Sequence, residues 1–163
     1  MAKNQNLLEI ENAKLVFTNF AGKERKNPKN NQIINREGQR NFCIMIDPDE
    51  AERLKADGWN VKTYSSGDEY DEPLNYIQVA VEFDKGFPPT VWMITRRNRT
   101  LLNAETIDAL DGADIKQADI RIRPYLWEVN GKAGIKAYLQ EMYVVIEEDK
   151  WEQKYAEYMY PEE

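Results

Sequence analysis

The dipeptide Asn130-Gly131 separates two β-rich segments and constrains the fold of this chain more than any other feature. Both residues accept a positive φ, which the two central positions of a type I′ turn require. The sequence therefore predicts a hairpin between residues 117–129 and 132–146. Pairing outward from Val129 and Lys132 predicts four opposite pairs on one face: Trp127 with Gly134, Tyr125 with Lys136, Arg123 with Tyr138, and Arg121 with Gln140.

The two faces of this hairpin differ in chemistry. The second face is mainly aliphatic and is expected to pack on the core; its pairs are Ile120 with Glu141, Ile122 with Leu139, Pro124 with Ala137, and Leu126 with Ile135. The first face, called the aromatic face below, interleaves cationic and aromatic side chains. Rings offer flat stacking surfaces and cations contact phosphates, which is the combination that binds single-stranded nucleic acid with little sequence preference.

Two interpretations of the aromatic face stay open. In the first, bases stack on the rings and the cations neutralise phosphates. In the second, the rings belong to a second core or to a homodimer interface. The cations weigh against the second interpretation, because buried charges without partners are costly. The candidate nucleic-acid-binding residues of this face are Arg121, Arg123, Tyr125, Trp127, Lys136 and Tyr138.

Residues 21–40, the basic loop, carry six cations against two anions, although the whole chain has a net charge of -7. The length of this segment and its Gly, Pro and Asn residues predict a loop, and loops this long are commonly functional or disordered. Because it connects two predicted strands, we expect it to close over a phosphate backbone. A solvated loop with no specific role is the alternative. Its candidate residues are Lys23, Arg25, Lys26, Lys29, Arg36 and Arg40.

Residues 7–20 are predicted to form one long or bent strand, and the change of phase in their apolar alternation at Glu11-Asn12 indicates a bulge or a bend there. Further strands are predicted for residues 40–47, 59–65, 74–83 and 90–95. Two of them supply candidate stacking rings, Tyr76 and Trp92, and a core position is an equal alternative for Trp92. The cations Arg97 and Arg99 follow the last of these strands and are candidates for extending a phosphate track.

Two short helices are predicted in the body of the chain. Asp47, Pro48 and Glu50 are typical of a helix start, as N-cap, first helical residue and capping-box residue, and Gly58 marks the end. Residues 101–113 predict a second helix with Asn103 as its cap, Ile107 and Leu110 on its inner face, and Gly112 at its end.

Residues 149–163 are acidic and aromatic, and we predict a helix that frays into a tail. Trp151, Tyr155 and Tyr158 would share one side of that helix, because their spacings are four and three.

Several classes of protein are disfavoured. The single cysteine, Cys43, gives no disulfide framework and fits a reducing compartment, and no segment is long and apolar enough to span a membrane. The chain has no histidine, no glycine-rich phosphate loop and no zinc-ligand spacing. We therefore expect an intracellular protein without metal or cofactor that is not an enzyme.

Four strings carry a resemblance to a known family: RNFCIMID, GWNVK, the NYIQVAVEF block followed by VWMIT, and RPYLWEVNGKAGIKAYLQEMYV. Together they resemble phage-encoded single-stranded DNA-binding proteins built on the OB-fold. The resemblance implies a mainly β chain: a Greek-key barrel of about five strands in residues 1–148, with one or two short helices and a prominent late hairpin. It also implies an acidic C-terminal tail, residues 149–163, that recruits replication or recombination proteins.

The tail departs from the family pattern at its end. Such tails often finish on an aromatic residue, whereas this chain ends Tyr160-Pro161-Glu162-Glu163. The residues that the resemblance assigns to partner binding are Trp151, Tyr155, Tyr158, Tyr160, Glu162 and Glu163.

The sequence thus predicts a protein that coats single-stranded DNA during phage DNA replication or recombination in the host cytoplasm. The alternative is a protein-interaction or phage assembly module in which the aromatic face contacts another protein. Salt separates the two, because DNA binding driven by counterion release weakens as salt rises.

Overall fold

The computed structural model describes residues 7–65, 67 and 69–147 of the chain. It contains one α-helix, α1 (Pro48–Ala56), and one 3-10 helix (Ile107–Asp111) among those residues. The strands are β1 (Leu8–Ile10), β2 (Leu15–Asn19), β3 (Arg25–Lys26), β4 (Ile33–Asn35), β5 (Arg40–Ile46), β6 (Val61–Tyr64), β7 (Leu74–Val81), β8 (Thr90–Ile94), β9 (Arg99–Leu102), β10 (Ile115–Val129) and β11 (Lys132–Ile146). The predicted tail helix lies outside the described residues.

The main sheet follows the order β1-β10-β11-β7-β5-β2 and closes into a barrel, because β1 and β2 are two halves of one bent strand. The halves pair with different partners, β1 with β10 and β2 with β5. Asn12, at φ +54, lies in the bend between them. This confirms the bend predicted from the phase change, and the closed Greek-key arrangement confirms the predicted OB-type barrel.

The long hairpin of β10 and β11 has the predicted register from its turn to the pair Ile122–Leu139. Beyond that point the prediction was wrong, since Arg121 pairs with Glu141 and Ile120 with Met142. The register shift places an extra residue, Gln140, on β11 as a β-bulge. The bulge explains why the aliphatic positions of β11 change parity there.

The core lies inside the barrel and is formed by alternate residues of its strands. Ile122, Leu139, Val79, Phe42 and Ile44 are at most 2% exposed. Burying each such side chain contributes about 1.5–3 kcal/mol relative to leaving it in water. The aliphatic face of the long hairpin is therefore the core face, as predicted, and the aromatic face points outward.

Helix α1 begins and ends as the sequence predicts. The carboxylate Oδ1 of Asp47 accepts a hydrogen bond from the backbone N–H of Glu50 at 2.9 Å, which satisfies an otherwise unpaired donor of the first turn. Gly58 follows the helix with φ +98, a conformation that costs glycine little. The helix packs Ala51 and Leu54 against the core.

The prediction of a helix over residues 101–113 is wrong for its first part, because strand β9 extends to Leu102. Only the short 3-10 helix forms, and it buries Ile107 and Leu110 as predicted. The Oδ1 atom of Asn103 accepts from the backbone N–H groups of Glu105 and Thr106, which makes a turn before the helix rather than a helix cap. Strand pairing with β8 overrides the local helical pattern.

The basic loop is not irregular: its middle forms the two-stranded hairpin β3–β4, called the basic hairpin below. Asn35 fixes this hairpin to the start of β5. Its side chain is buried, and its Nδ2 donates to the carbonyl oxygens of Lys23 at 2.8 Å and Gln39 at 3.1 Å. Its Oδ1 accepts from Asn41 Nδ2 at 2.8 Å. The hairpin is therefore held in a defined position beside the barrel.

Neither helix in the described part of the chain is long and apolar enough to cross a membrane.

Candidate nucleic-acid interface

A groove of about 370 Å³ crosses the outer surface of the barrel. Its base is the outer face of β5 and β7. The segment from the basic hairpin to β5 forms one side, and the tip of the β10–β11 hairpin forms the other. Its lining includes Ile34, Asn35, Gln39, Arg40, Asn41, Trp59, Gln78, Ala80, Glu82, Trp127, Ile135 and Lys136. Two segments that are far apart in the sequence, the basic loop and the late hairpin, thus meet across one groove.

Trp127 lies on one side of the groove with 39% of its surface exposed. Its indole ring covers Gly134, the residue opposite it on β11: a Cβ atom on Gly134 would lie 2.9 Å from Trp127 Cζ2. Because Gly134 has no side chain, the Trp127 ring can lie directly against the backbone of β11. An exposed indole held in this way is a flat surface on which a planar group can stack.

Next to Trp127, a second cluster of rings and cations continues the aromatic face. The guanidinium carbon of Arg123 lies 5.1 Å from the ring centroids of both Tyr138 and Phe87. Lys136 Nζ lies 5.0 Å from the centroid of Tyr138, and Tyr125 meets Tyr138 edge to face at 6.0 Å. Cation–π contacts at such distances contribute about 0.5–1 kcal/mol at exposed sites. They also hold the side chains in place before any ligand binds.

The cations of the basic loop are exposed, with one exception. Lys23, Arg25, Lys26, Lys29 and Arg36 lie at the surface. Lys26 is 3.8 Å from Glu24, a surface ion pair of little energetic weight.

Arg40 is the exception and is held against the barrel. Its Nη2 donates to the carbonyl oxygen of Ala104 at 3.0 Å, and its guanidinium lies 6.0 Å from the ring centroid of Phe83. Arg40 thus contributes charge to the groove, but it has less freedom to reach for a ligand.

Cys43 lies on the strand at the base of the groove and is 5% exposed. Burial raises the pKa of its thiol to about 11, against the opposing effect of the positive charges of Lys62 and Arg25. The thiol is therefore protonated at neutral pH, which disfavours a nucleophilic role.

Arg121 lies farther along the aromatic face and is already paired. Its Nε contacts Glu9 Oε2 at 2.6 Å, and its Nη1 contacts Glu141 Oε1. The hydrogen bond to Glu9, followed by the one to Glu141, raises the pKa of Arg121. Tyr143 donates to the other oxygen of Glu141 at 2.9 Å, and this bond raises the pKa of Tyr143. One cation among two carboxylates leaves no net positive charge for a phosphate.

The structure places Trp92, Arg97 and Arg99 away from the groove. Strand β8 pairs with the far end of β11, where Trp92 is opposite Tyr143. The guanidinium of Arg99 lies 5.4 Å from the centroid of Trp92, and Arg97 is in the turn after β8. These residues form a separate outer patch. Tyr76 lies on the groove face, at the end remote from Trp127.

Sequence reasoning missed several aromatic residues in the groove or on the surface around it. Trp59 follows α1, and its segment pairs with Ile135 of the late hairpin. Phe87 is 68% exposed and lies in a Gly-Phe-Pro loop, where no periodicity marks it. Phe17 and Tyr64 are 41% and 51% exposed and lie beside Tyr76. An exposed aromatic in a loop or bulge has no sequence signal beyond its residue type.

No group of three or more His, Cys, Asp or Glu side chains in residues 7–65, 67 and 69–147 is placed to hold a metal ion. The polar and aromatic chemistry of the groove lining consists of rings, cations, amides and the single carboxylate of Glu82.

A family model for the phage ssDNA-binding domain matches residues 1–163, the whole chain. The chain belongs to the phage single-stranded DNA-binding family. Binding of single-stranded DNA is the function that this family and the groove chemistry support. A search of curated proteins found no match.

Solved structures of one phage protein share the fold of this family member. The single-stranded DNA-binding protein from bacteriophage Enc34 aligns with 12% identity and a TM-score of 0.51, over 85% of this chain and 80% of that one. Its C-terminal truncation aligns with 13% identity and a TM-score of 0.51, over 88% and 87%. The likeness supports the barrel architecture derived above.

Proposed function

We propose that this phage protein binds single-stranded DNA in the groove between the basic hairpin and the β10–β11 hairpin, with little sequence preference. The observation that carries the proposal is the exposed indole of Trp127, which lies next to Lys136 on one side of the groove and faces the basic loop on the other. Bases would stack on Trp127 and Tyr138, while Lys136, Arg123 and the cations of the basic loop neutralise the backbone.

The position of the groove on the barrel supports this assignment. The basic loop connects the first and second barrel strands, and Asn130-Gly131 connects the fourth and fifth. In OB-folds, these two loops and the face of the second and third strands bind oligonucleotides. Arg121 is a weaker candidate because two carboxylates already pair with it.

The wider role remains part of the proposal. We infer that the protein coats single-stranded DNA during phage DNA replication or recombination in the host cytoplasm, and that it is not an enzyme. Residues 1–148 would form the DNA-binding domain. Residues 149–163, with the aromatic positions Trp151, Tyr155, Tyr158 and Tyr160 and the terminal Glu162 and Glu163, would recruit protein partners. Trp92, Arg97 and Arg99 remain candidates for an extended DNA track.

A protein-interaction module, or a homodimer through the hairpin, is the second candidate function. One observation favours it: Leu126 and Val129 at the hairpin tip are 61% and 59% exposed. Exposed apolar side chains at a protruding tip are typical of protein contacts.

A fluorescence titration with unlabelled oligo-dT tests the proposed function. Stacking on Trp127 should quench tryptophan emission in a saturable way at low salt. The logarithm of the affinity should fall linearly with the logarithm of the salt concentration, with a slope of about 0.7 for each neutralised phosphate. No response at low salt, from protein shown to be folded by circular dichroism, would contradict the proposal and favour the interaction module.

Replacing Gly134 with alanine should weaken binding without unfolding the protein. The new Cβ would lie 2.9 Å from the Trp127 ring, so the exposed indole has to move off the strand. We expect the affinity for oligo-dT to fall by about 1 kcal/mol, the lower limit for one base-stacking contact. Gly112→Ala is the matched control, since a Cβ there meets no atom within 4 Å. Equal effects of the two substitutions would show that the Trp127 position is not what matters.

A further inference from the structure

Phe17 adopts a backbone conformation that is unusual for a bulky residue. Its φ is +48, in the left-handed region that favours glycine. The register of β2 with β5 jumps from the pair Val16–Cys43 to the pair Asn19–Asn41, so Phe17 and Thr18 face one residue, Phe42. This is a β-bulge, and bulges redirect a side chain relative to the strand. Strained residues of this kind cluster at functional sites.

The bulge brings Phe17 into an exposed cluster of rings. Its centroid lies 5.7 Å from that of Tyr64 and 5.4 Å from that of Tyr76, both edge to face. Phe17 and Tyr64 are 41% and 51% exposed. A ring that served only the core would be buried, as Phe20 and Phe42 are. The strained conformation of Phe17 therefore serves an outward-facing surface.

The Phe17 cluster shares its sheet face with the proposed DNA groove. Ala80 of β7 pairs with Tyr138 at the groove, and Tyr76 lies four residues away on the same strand. That separation is about 13 Å at 3.3 Å per residue. It corresponds to about four nucleotides at the 3.4 Å spacing of a stacked strand.

The surface between the cluster and the groove is polar and carries positive charge. Gln78 lies midway along β7, and its Oε1 accepts from Lys62 Nζ at 3.1 Å. Lys62 is also opposite Tyr76 in the pairing of β6 with β7. A DNA backbone that leaves the groove along β7 would thus meet a cation before it meets the second set of rings.

We propose that Phe17, Tyr64 and Tyr76 form a second stacking site, which holds an unpaired base of the same DNA strand while Lys62 contacts the backbone beside it. This inference rests on the proposed function, because the strand must first occupy the groove. It predicts that the footprint of the protein on DNA is longer than the groove alone.

The test compares short and long oligo-dT. Phe17→Gly is the informative variant, because glycine tolerates the positive φ and removes the ring while the bulge stays. Tyr64→Ala removes a neighbouring ring without touching the bulge, and Tyr64→Phe is its control. We expect both ring-removing variants to lose about 10-fold in affinity for oligonucleotides of about twelve nucleotides, and to bind those of about four nucleotides within about twofold of the unmodified protein.

The possible outcomes separate this inference from the proposed function. Unchanged affinity at both lengths, or an equal loss at both lengths, would overturn the second stacking site. If Trp127→Ala weakens binding of both lengths in the same experiment, the proposed function stands whatever Phe17→Gly does. Equal losses for Tyr64→Phe and Tyr64→Ala would also contradict the site, since phenylalanine keeps the stacking ring.

Discussion

Replacing Trp127 and Tyr138 together with alanine should remove most of the affinity for single-stranded DNA. Each stacked base contributes about 1–3 kcal/mol, so each substitution should weaken binding by about 5- to 150-fold. Trp127 is opposite Gly134 and Tyr138 is opposite Arg123, four residues farther along the hairpin, so their losses should be close to additive. Anisotropy of a labelled oligo-dT is the suitable measurement, because the double variant lacks one of its fluorescent tryptophans.

Leu126→Ala provides the matched control for this double variant. Leu126 is next to Trp127 on β10 and 61% exposed, but its side chain points to the other face of the strand. Its removal should leave DNA affinity within about twofold, while it should weaken any protein contact made by the hairpin tip. If the Leu126→Ala variant lost as much DNA affinity as the aromatic double variant, the proposal that DNA binds to the aromatic face would be contradicted. All of these variants lie at exposed or half-buried positions, so the fold should persist.

The hairpin and α1 were predictable from the sequence because their signals are local. Asn130-Gly131 sets the turn, and the alternation on either side sets which residues face the core, so the pairs from Val129–Lys132 to Ile122–Leu139 follow by counting. Asp47 and Pro48 fix the start of α1 in the same way, since each acts on the backbone within three residues of itself.

Other features depend on contacts between distant segments, and the local sequence pattern does not determine them. The bulge at Gln140 moves the pairing of Arg121 by one residue, which places its guanidinium between Glu9 and Glu141. When the register is counted from the turn, Arg121 is opposite Gln140 and has no ion-pair partner. Glu9 contacts Arg121 only because β1 pairs with β10. The exposed position of Phe17 likewise arises from a bulge that the apolar pattern of residues 7–20 does not reveal.

The basic loop shows how composition was informative about charge and uninformative about shape. Its cations were evident from the sequence, but its Asn residues suggested an irregular loop. In the structure, Asn35 uses its amide to join Lys23, Gln39 and Asn41, and this network positions the basic hairpin beside the groove. The polar residues that made the segment look irregular are those that fix its position.

Neutralising three cations of the basic loop should make DNA binding weaker and less sensitive to salt. In the variant Arg25→Gln, Lys26→Gln, Lys29→Gln, the loss of three phosphate contacts would lower the salt slope by about two. Each contact contributes about 0.7 to the logarithmic slope, so if the variant and the unmodified protein bind equally at about 1 M salt, the variant binds about 100-fold more weakly at about 0.1 M. Titrations at several salt concentrations measure both quantities.

The control for this variant must have the same net charge, because a more acidic protein repels DNA at any position. Arg53→Gln, Lys55→Gln, Lys116→Gln removes three cations that lie outside the basic loop and that pair with Glu50, Glu52 and Glu147. Starting from the same net charge of -7, both triple variants become equally more negative. A slope change confined to the basic-loop variant would locate the phosphate contacts there. Equal changes in the salt slope of both triple variants would mean that DNA makes no specific contact with the basic-loop cations and that only the overall charge of the protein attracts it.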